Sequence, residues 1–343
     1  MERERERERE RKTADPRKMP RVELYEHLPL DMPFTVQFLP SSKCNFRCSY
    51  CWQSLTDKQL EDINFRRNKM DLTLYKRAID AFVAAGWSLR QIIFTGWGEP
   101  LTHPDIASMI KYTKERLKGC VVDLITNAVL LSPEISYALV SAGLDRLRVS
   151  IQGTSAEKYK EICGTEIDFS VFLRNLQWFY AHQGETKTYI TIISAALEDD
   201  SDEKKFFDMF SPLGDIVDVR PIIPTESRID YSKFGKSMDR TFSGYAYKNV
   251  KVCSRPFFEI IVDPDGDVLP CCLPNAKTLS FGSIKEQDIA DIWNGDIRKK
   301  FLRQLLTDRT VNPICAKCQI PSYGLQPGDF LDDHASELLG KYS

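Results

Sequence analysis

Between Pro33 and Pro224 short runs of β-branched and aromatic residues alternate with longer amphipathic stretches, and no other feature constrains the fold as much. The pattern predicts strands at residues 34–38, 91–95, 121–126, 146–151, 188–194 and 216–222. Helices are expected between them at 71–85, 104–116, 133–142, 169–183 and 202–210. Ser132 before Pro133, and His103 before Pro104 and Asp105, are helix-start signals. Strands that alternate with helices run parallel and are joined by right-handed crossovers. Six such units are too few to close an eight-fold barrel. The expected fold is therefore α/β, a partial (β/α)6 TIM-like barrel with one open side.

Beyond Pro224 the alternation stops. Residues 225–250 are polar, aromatic and turn-rich, and are expected to form a linker. The turn Asp263-Pro264-Asp265-Gly266 between apolar runs predicts a hairpin. Helices are expected near 289–293 and 298–306. The domain reading is a charged tail and lead-in at 1–32, the barrel at 33–224, the linker, and a small α+β domain with a tail at 251–343. Met1–Lys12, which alternates Glu and Arg without an apolar face, is expected to be solvated.

The 47 basic and 49 acidic residues nearly cancel, which argues against an electrostatic nucleic-acid partner. No run of about 18 apolar residues exists to span a membrane, and the N-terminus lacks the apolar core of a secretory signal. The chain is expected to be soluble and cytoplasmic. In a reducing compartment its ten cysteines are metal ligands or catalytic thiols rather than disulfides.

Cys44, Cys48 and Cys51 follow the first strand, at the sheet edge where ligands of parallel α/β folds gather. Three thiolates leave one metal position open, whereas a structural zinc or a fully ligated cluster takes four. A zinc site with a distant fourth ligand is the plain alternative. Cys253, Cys271, Cys315 and Cys318 make a set of four, suited either to zinc or to a closed iron–sulfur cluster. Cys272 sits beside Cys271, and either could be the ligand. Cys120 and Cys163 stand alone.

The spacing C-x3-C-x2-C, with Tyr50 before its last cysteine, resembles the signature of the radical S-adenosylmethionine superfamily. Phe94-Thr95-Gly96-Trp97-Gly98-Glu99-Pro100 resembles the family's GGEP segment with Trp97 inserted, and Thr126-Asn127 matches the start of a Thr-Asn-Gly in which Ala128 replaces the glycine. The resemblance covers residues 34–223. It implies a [4Fe–4S] cluster on Cys44, Cys48 and Cys51, whose open iron binds S-adenosylmethionine and cleaves it to a 5′-deoxyadenosyl radical. Contacts to S-adenosylmethionine are expected from Tyr50, Gly96, Gly98, Glu99, Asn127, Ser150 and Gln152.

After such a core the second set resembles the twitch subdomain, a shortened SPASM extension with one auxiliary [4Fe–4S] cluster. Gly266-x4-Cys271 favours Cys271 as its ligand, with Cys253, Cys315 and Cys318. The layout is similar to that of sugar- and antibiotic-modifying enzymes, including the dehydrogenase of 2-deoxy-scyllo-inosamine. It implies oxidation of a hydroxyl-bearing small molecule, with an electron donor such as flavodoxin or ferredoxin. Cys272 is the candidate hydrogen-atom donor if the outcome is epimerisation. Elimination, decarboxylation and peptide modification are the alternative reactions. A non-enzymatic metal-binding module is the remaining one. About 43 residues before the triad are fewer than a peptide-binding module needs. His103, His182 and Arg220 are further candidates for the substrate pocket, each equally suited to a packing role.

Overall fold

The computed structural model describes residues 22–234 and 240–342; the alternating Glu/Arg segment lies outside the described residues. Six parallel strands stand side by side in sequence order: β1 (Thr35–Phe38), β2 (Gln91–Phe94), β3 (Val121–Thr126), β4 (Arg146–Ile151), β5 (Lys187–Ile193) and β6 (Ile216–Arg220). Successive side chains on a strand point to opposite faces. Val36, Phe38, Ile92, Phe94, Val122, Leu124, Leu147, Val149, Ile151, Ile190 and Ile192 are all fully buried in the main core. The intervening positions turn to the lumen and mix polar residues, among them Gln37, Gln91, Asp123, Arg146 and Arg148, with the apolar Ile93, Val121 and Ile125.

The helices that cover the outer face follow their sequence signals. α1 (Leu72–Ala84) starts where the Asp71 carboxylate accepts from the amides of Thr73 and Leu74, 2.8 and 3.1 Å away. Its buried residues Tyr75, Ala78, Ile79 and Phe82 recur at helical spacing and make one apolar stripe. α2 (Ile106–Arg116), α3 (Pro133–Ser141, with Ser132 as its cap), α5 (Phe169–His182) and α6 (Asp200–Phe210) lie within a few residues of expectation. Between β4 and α5 there is a further helix, α4 (Ala156–Cys163), which the strand–helix count does not anticipate.

The hairpin of β7 (Glu259–Val262) and β8 (Asp267–Leu269) forms as expected, with Gly266 at φ +88° in its turn. It does not stand apart from the barrel. β7 pairs parallel to β1, Thr35 opposite Glu259 and Phe38 opposite Val262. With β9 (Gly282–Ser283) the result is one nine-stranded sheet, in the order β6-β5-β4-β3-β2-β1-β7-β8-β9. Residues 225–250, read as a linker, also take part in the fold. Tyr231 donates its hydroxyl to the Tyr50 carbonyl at 3.1 Å, and the Phe242 amide donates to the Tyr323 carbonyl at 2.8 Å.

Lys277 holds the hairpin turn. Its ammonium lies 2.9 Å from Asp263, 2.5 Å from Asp265 and 3.3 Å from Asp267. Asp263 is completely buried. Removing one partner of a buried ion pair leaves an uncompensated charge, at a cost of about 3 kcal/mol or more. Lys277→Met is therefore expected to lower the thermal midpoint, and Asp263→Asn in the same chain to recover part of the loss. Additive losses in the double variant would dissolve the pairing.

Candidate metal centres and the barrel lumen

The loop of Cys44, Cys48 and Cys51 has no regular structure before the Trp52–Ser54 turn, so outside contacts must place it. Phe46 is buried with its ring edge-on to Tyr159, centroids 5.9 Å apart. The amides of Arg47 and Ser49 donate to the Cys163 and Ile162 carbonyls at the end of α4, 2.9 and 2.8 Å away. Asn127 Nδ2 donates to Asn45 Oδ1 at 2.8 Å, and the Glu99 amide donates to the Lys43 carbonyl at 2.9 Å. Helix α4 is thus a functional element that the sequence reading lacks. Its signals were present, since Ser155 caps its start and Gly164 ends it at φ +63°.

The glycines of the Gly96–Pro100 turn are required by the protein's own backbone. Gly96 has φ +128°, and a Cβ on Gly98 would lie 2.2 Å from the Lys43 carbonyl oxygen. Trp97, absent from the family pattern, is a buried bridge. Its carbonyl accepts from Trp52 Nε1 at 3.1 Å and from Gln53 Nε2 at 2.5 Å, while its own Nε1 donates to the Cys272 carbonyl at 2.8 Å. The turn therefore touches both cysteine regions.

Glu99 is buried and accepts from Thr126 Oγ1 at 2.6 Å, the Asn127 amide at 2.7 Å and the Leu101 amide at 2.9 Å. Burial pushes its carboxyl up to about 7 against the pull of these three bonds. Thr126 was noted in the sequence only as part of a motif; its hydroxyl also accepts the Ala128 amide at 2.9 Å. Ala128 stands at φ +59°, a left-handed position that favours the glycine of the family pattern. Gln152 is buried, accepts the Tyr50 hydroxyl, and donates to the Ser150 carbonyl at 3.0 Å. Tyr50, Asn127, Ser150 and Gln152 thus lie around one set of strand ends.

Every one of the ten cysteines is a free thiol. Cys44, Cys48 and Cys51 are half-buried and feel one another's charge. Burial pushes the Cys44 thiol up to about 12 and raises that of Cys51. Cys48 is raised first by a hydrogen bond with the buried Cys163 thiol and then by burial. In the second set Cys253 feels Cys318 and Cys315, and Cys271 feels Cys272, Cys318 and Cys253. Burial pushes Cys253 up to about 12 and Cys315 up to about 11. Cys315 lies within a short helix (Pro313–Lys317) capped by Asn312, Cys318 ends it, and Arg309 Nη1 donates to both of their carbonyls. Burial raises the Cys272 thiol, which feels Arg255, Glu259 and Cys318.

Among the described residues, no three Cys, His, Asp or Glu side chains close on one point tightly enough for a single metal ion. A cluster places each thiolate on a different iron, so its ligands stand farther apart. The donor chemistry of both sets, all sulfur, is what an iron–sulfur cluster takes.

A cavity of about 570 Å³ occupies the lumen. It is lined by β1 to β6 residues from Gln37 to Arg220, and across from them by Ser254, Arg255, Glu259 and Cys272. Its lining therefore runs from the barrel strands to the neighbours of the second cysteine set. Arg220 lines this cavity. His103 does not; it is buried, with Nε2 2.7 Å from the Met70 carbonyl and Nδ1 accepting the Asp105 amide at 3.1 Å. His182 is stacked on Trp178 at the exposed end of α5. Both histidines are packing residues.

Gly98→Ala drives a methyl group into the Lys43 carbonyl. It is expected to cost at least about 2 kcal/mol and to displace the chain entering Cys44. Iron content after anaerobic reconstitution should fall with the thermal midpoint; full iron loading at an unchanged midpoint would contradict the close approach.

Comparison with known proteins agrees with this geometry. The profile of the radical SAM superfamily matches residues 38–208, and that of an iron–sulfur cluster-binding domain, SPASM, matches residues 253–319. The GTP 3′,8-cyclase of Chlorobaculum tepidum is 35% identical over 127 residues, which is 37% of this chain and 35% of that protein. The PqqA peptide cyclase of Rhodopseudomonas palustris is 27% identical over 317 residues, covering 84% of this chain and 79% of that one. Among solved structures, BtrN in complex with AdoMet and 2-DOIA superposes with a TM-score of 0.56 at 18% identity, over 84% of this chain and 93% of that one. The two domains imply [4Fe–4S] clusters and S-adenosylmethionine. Among the described residues, no helix is long and apolar enough to cross a membrane. The chain is an enzyme of the radical SAM superfamily with a SPASM iron–sulfur domain.

Proposed function

We propose that this enzyme oxidises a hydroxyl-bearing small molecule, such as a sugar, an aminocyclitol or a nucleoside sugar, held in the barrel lumen. Cys44, Cys48 and Cys51 would hold the catalytic cluster, and Cys253, Cys271, Cys315 and Cys318 the auxiliary one. When bound, these clusters and S-adenosylmethionine supply a 5′-deoxyadenosyl radical and an electron acceptor. Tyr50, Gly96, Gly98, Glu99, Asn127, Ser150 and Gln152 frame the S-adenosylmethionine site at the strand ends. Glu99 and Asn127 act there mainly by fixing the turn and the cysteine loop, since their polar atoms already bond to protein.

The observation that carries this reading is the cavity, which is large enough to admit a ligand of sugar size and which Cys272 and Ser254 border. A carbinol carbon that loses its hydrogen atom, and then one electron and the hydroxyl proton, becomes a ketone. Cys271 feels two of the other three candidate ligands, whereas Cys272 faces the cavity, which favours Cys271 as the ligand. A thiol at Cys272 is also placed to return a hydrogen atom, the route to epimerisation. Peptide modification is the second reading, favoured by the likeness to the PqqA peptide cyclase.

Anaerobically reconstituted enzyme is expected to carry about eight irons per chain, and about four when Cys253 and Cys271 are both replaced by Ala. With dithionite and S-adenosylmethionine it should release 5′-deoxyadenosine, detected by mass spectrometry. Replacing Cys44, Cys48 and Cys51 with Ala should abolish that release, and retained cleavage would sink the assignment. Deuterium transfer from labelled sugars or peptides into 5′-deoxyadenosine separates the two substrate readings.

A further inference from the structure

Cys163 is a ligand in neither cysteine set, and it is fully buried at the last position of α4. Cys120, the other buried cysteine, donates to the Val121 carbonyl at 3.7 Å and is a core residue. Cys163 is placed differently. The Arg47 amide donates to its carbonyl at 2.9 Å, and the Ser49 amide donates to the Ile162 carbonyl at 2.8 Å. These two bonds lie on either side of Cys48 and fasten it against the helix end. Thr165 Oγ1 adds a further tie, 3.4 Å from the Asn45 carbonyl and 3.3 Å from that of Cys163. Within this clamp the Cys48 and Cys163 thiols are hydrogen-bonded to each other.

A pair of thiols can place a hydrogen between its sulfurs from either side. Once Cys48 binds iron it has none to give, because a metal-bound cysteine is a thiolate. The Tyr50 hydroxyl is also bonded to Cys48, but its single hydrogen goes to Gln152 Oε1. Cys163 is then the side chain left to donate to that sulfur.

We infer that Cys163 is a positioning residue of the catalytic cluster, giving its S–H hydrogen to the Cys48 thiolate and so raising the cluster's reduction potential. This rests on the assignment of Cys44, Cys48 and Cys51 as ligands above, and not on the identity of the substrate. An electron added to a cluster raises the negative charge on its sulfurs. A donor aimed at one of them therefore stabilises the reduced state more than the oxidised one. Partners beyond the ligands tune a metal centre in this way. An S–H group is a weak donor, so it needs the fixed geometry that the backbone clamp supplies. A cluster tuned upward is reduced more readily by a protein electron donor.

The test uses anaerobically reconstituted full-length enzyme, with each cluster followed by electron paramagnetic resonance at poised potentials. The catalytic cluster is the signal that added S-adenosylmethionine perturbs; the auxiliary cluster is the one it leaves unchanged. At a fixed poise, Cys163→Ala should lower the ratio of reduced to oxidised catalytic cluster about three- to tenfold, with iron content and the auxiliary signal unmoved. Cys163→Ser, which keeps a donor, should stay within about twofold of the parent. Rescue by serine separates donation from packing.

An unchanged ratio in Cys163→Ala would overturn the inference. So would an equal shift of both clusters, or a ratio in Cys163→Ser as low as in Cys163→Ala. If Cys163→Ala fails to load its iron, Cys163→Ser decides alone. A loaded cluster at the parent ratio then supports the donor role, and a ratio at least about threefold lower, or failure to load, overturns it. Absence of any signal sensitive to S-adenosylmethionine in the parent enzyme would count against the ligand assignment, and this inference would fall with it. A sensitive signal that ignores Cys163 overturns this inference alone.

Discussion

The contact between Gly98 and the Lys43 carbonyl is the constraint on which the first cysteine loop depends. That loop has no internal ladder of hydrogen bonds, so its geometry is borrowed from the walls around it. One wall is the turn after β2, which only glycine lets close to this distance. Glu99 fixes the turn in its place, because two donors from β3's end and the Leu101 amide converge on one buried carboxylate. The second wall is the end of α4, whose last carbonyls catch two amides of the loop. Loss of either wall would leave three thiols with no defined spacing, and a cluster requires that spacing before it can form.

The same turn carries Trp97, and through it the two halves of the chain become one mechanical unit. Its indole reaches the Cys272 carbonyl, while β7 adds to the barrel sheet beside β1. A hairpin built into the sheet cannot swing away without breaking a parallel ladder. The two cysteine regions are therefore tied together by hydrogen bonding through Trp97 and the β1–β7 ladder.

Much of this was legible in the sequence because it rests on local rules. The six strands follow from period-two patterning, and the hairpin from Asp-Gly between apolar runs. The cysteine spacings announce themselves. What stayed hidden depends on distant partners. Nothing local says that Glu99 meets Thr126, or that Asn127 spends its amide on Asn45. Helix α4 escaped because it breaks the strand–helix rhythm, although Ser155 and Gly164 bracket it with ordinary capping signals. Arg146 and Arg148 read as the polar half of an alternating strand, which in most sheets faces water. Only curvature of the sheet turns that half into the lining of a lumen.

That lumen is a poor way to stabilise a barrel. A close-packed barrel interior is filled by branched apolar side chains, and replacing buried ion pairs by such residues is often neutral or favourable. This chain instead sets Asp123, Arg146 and Arg148 among the apolar Val121 and Ile125 on the inner faces of β3 and β4, and leaves a cavity between them and the second cysteine region. Its stability comes from the outer face, where the apolar strand residues meet the helices in an unbroken core. The division is economical in physical terms: one face of each strand supports the fold, so the other is free to be shaped for a ligand. Sites that violate the packing rules of their fold are where function is expected to lie, and here the violation is a buried carboxylate, Asp123, set between two arginines in the lumen.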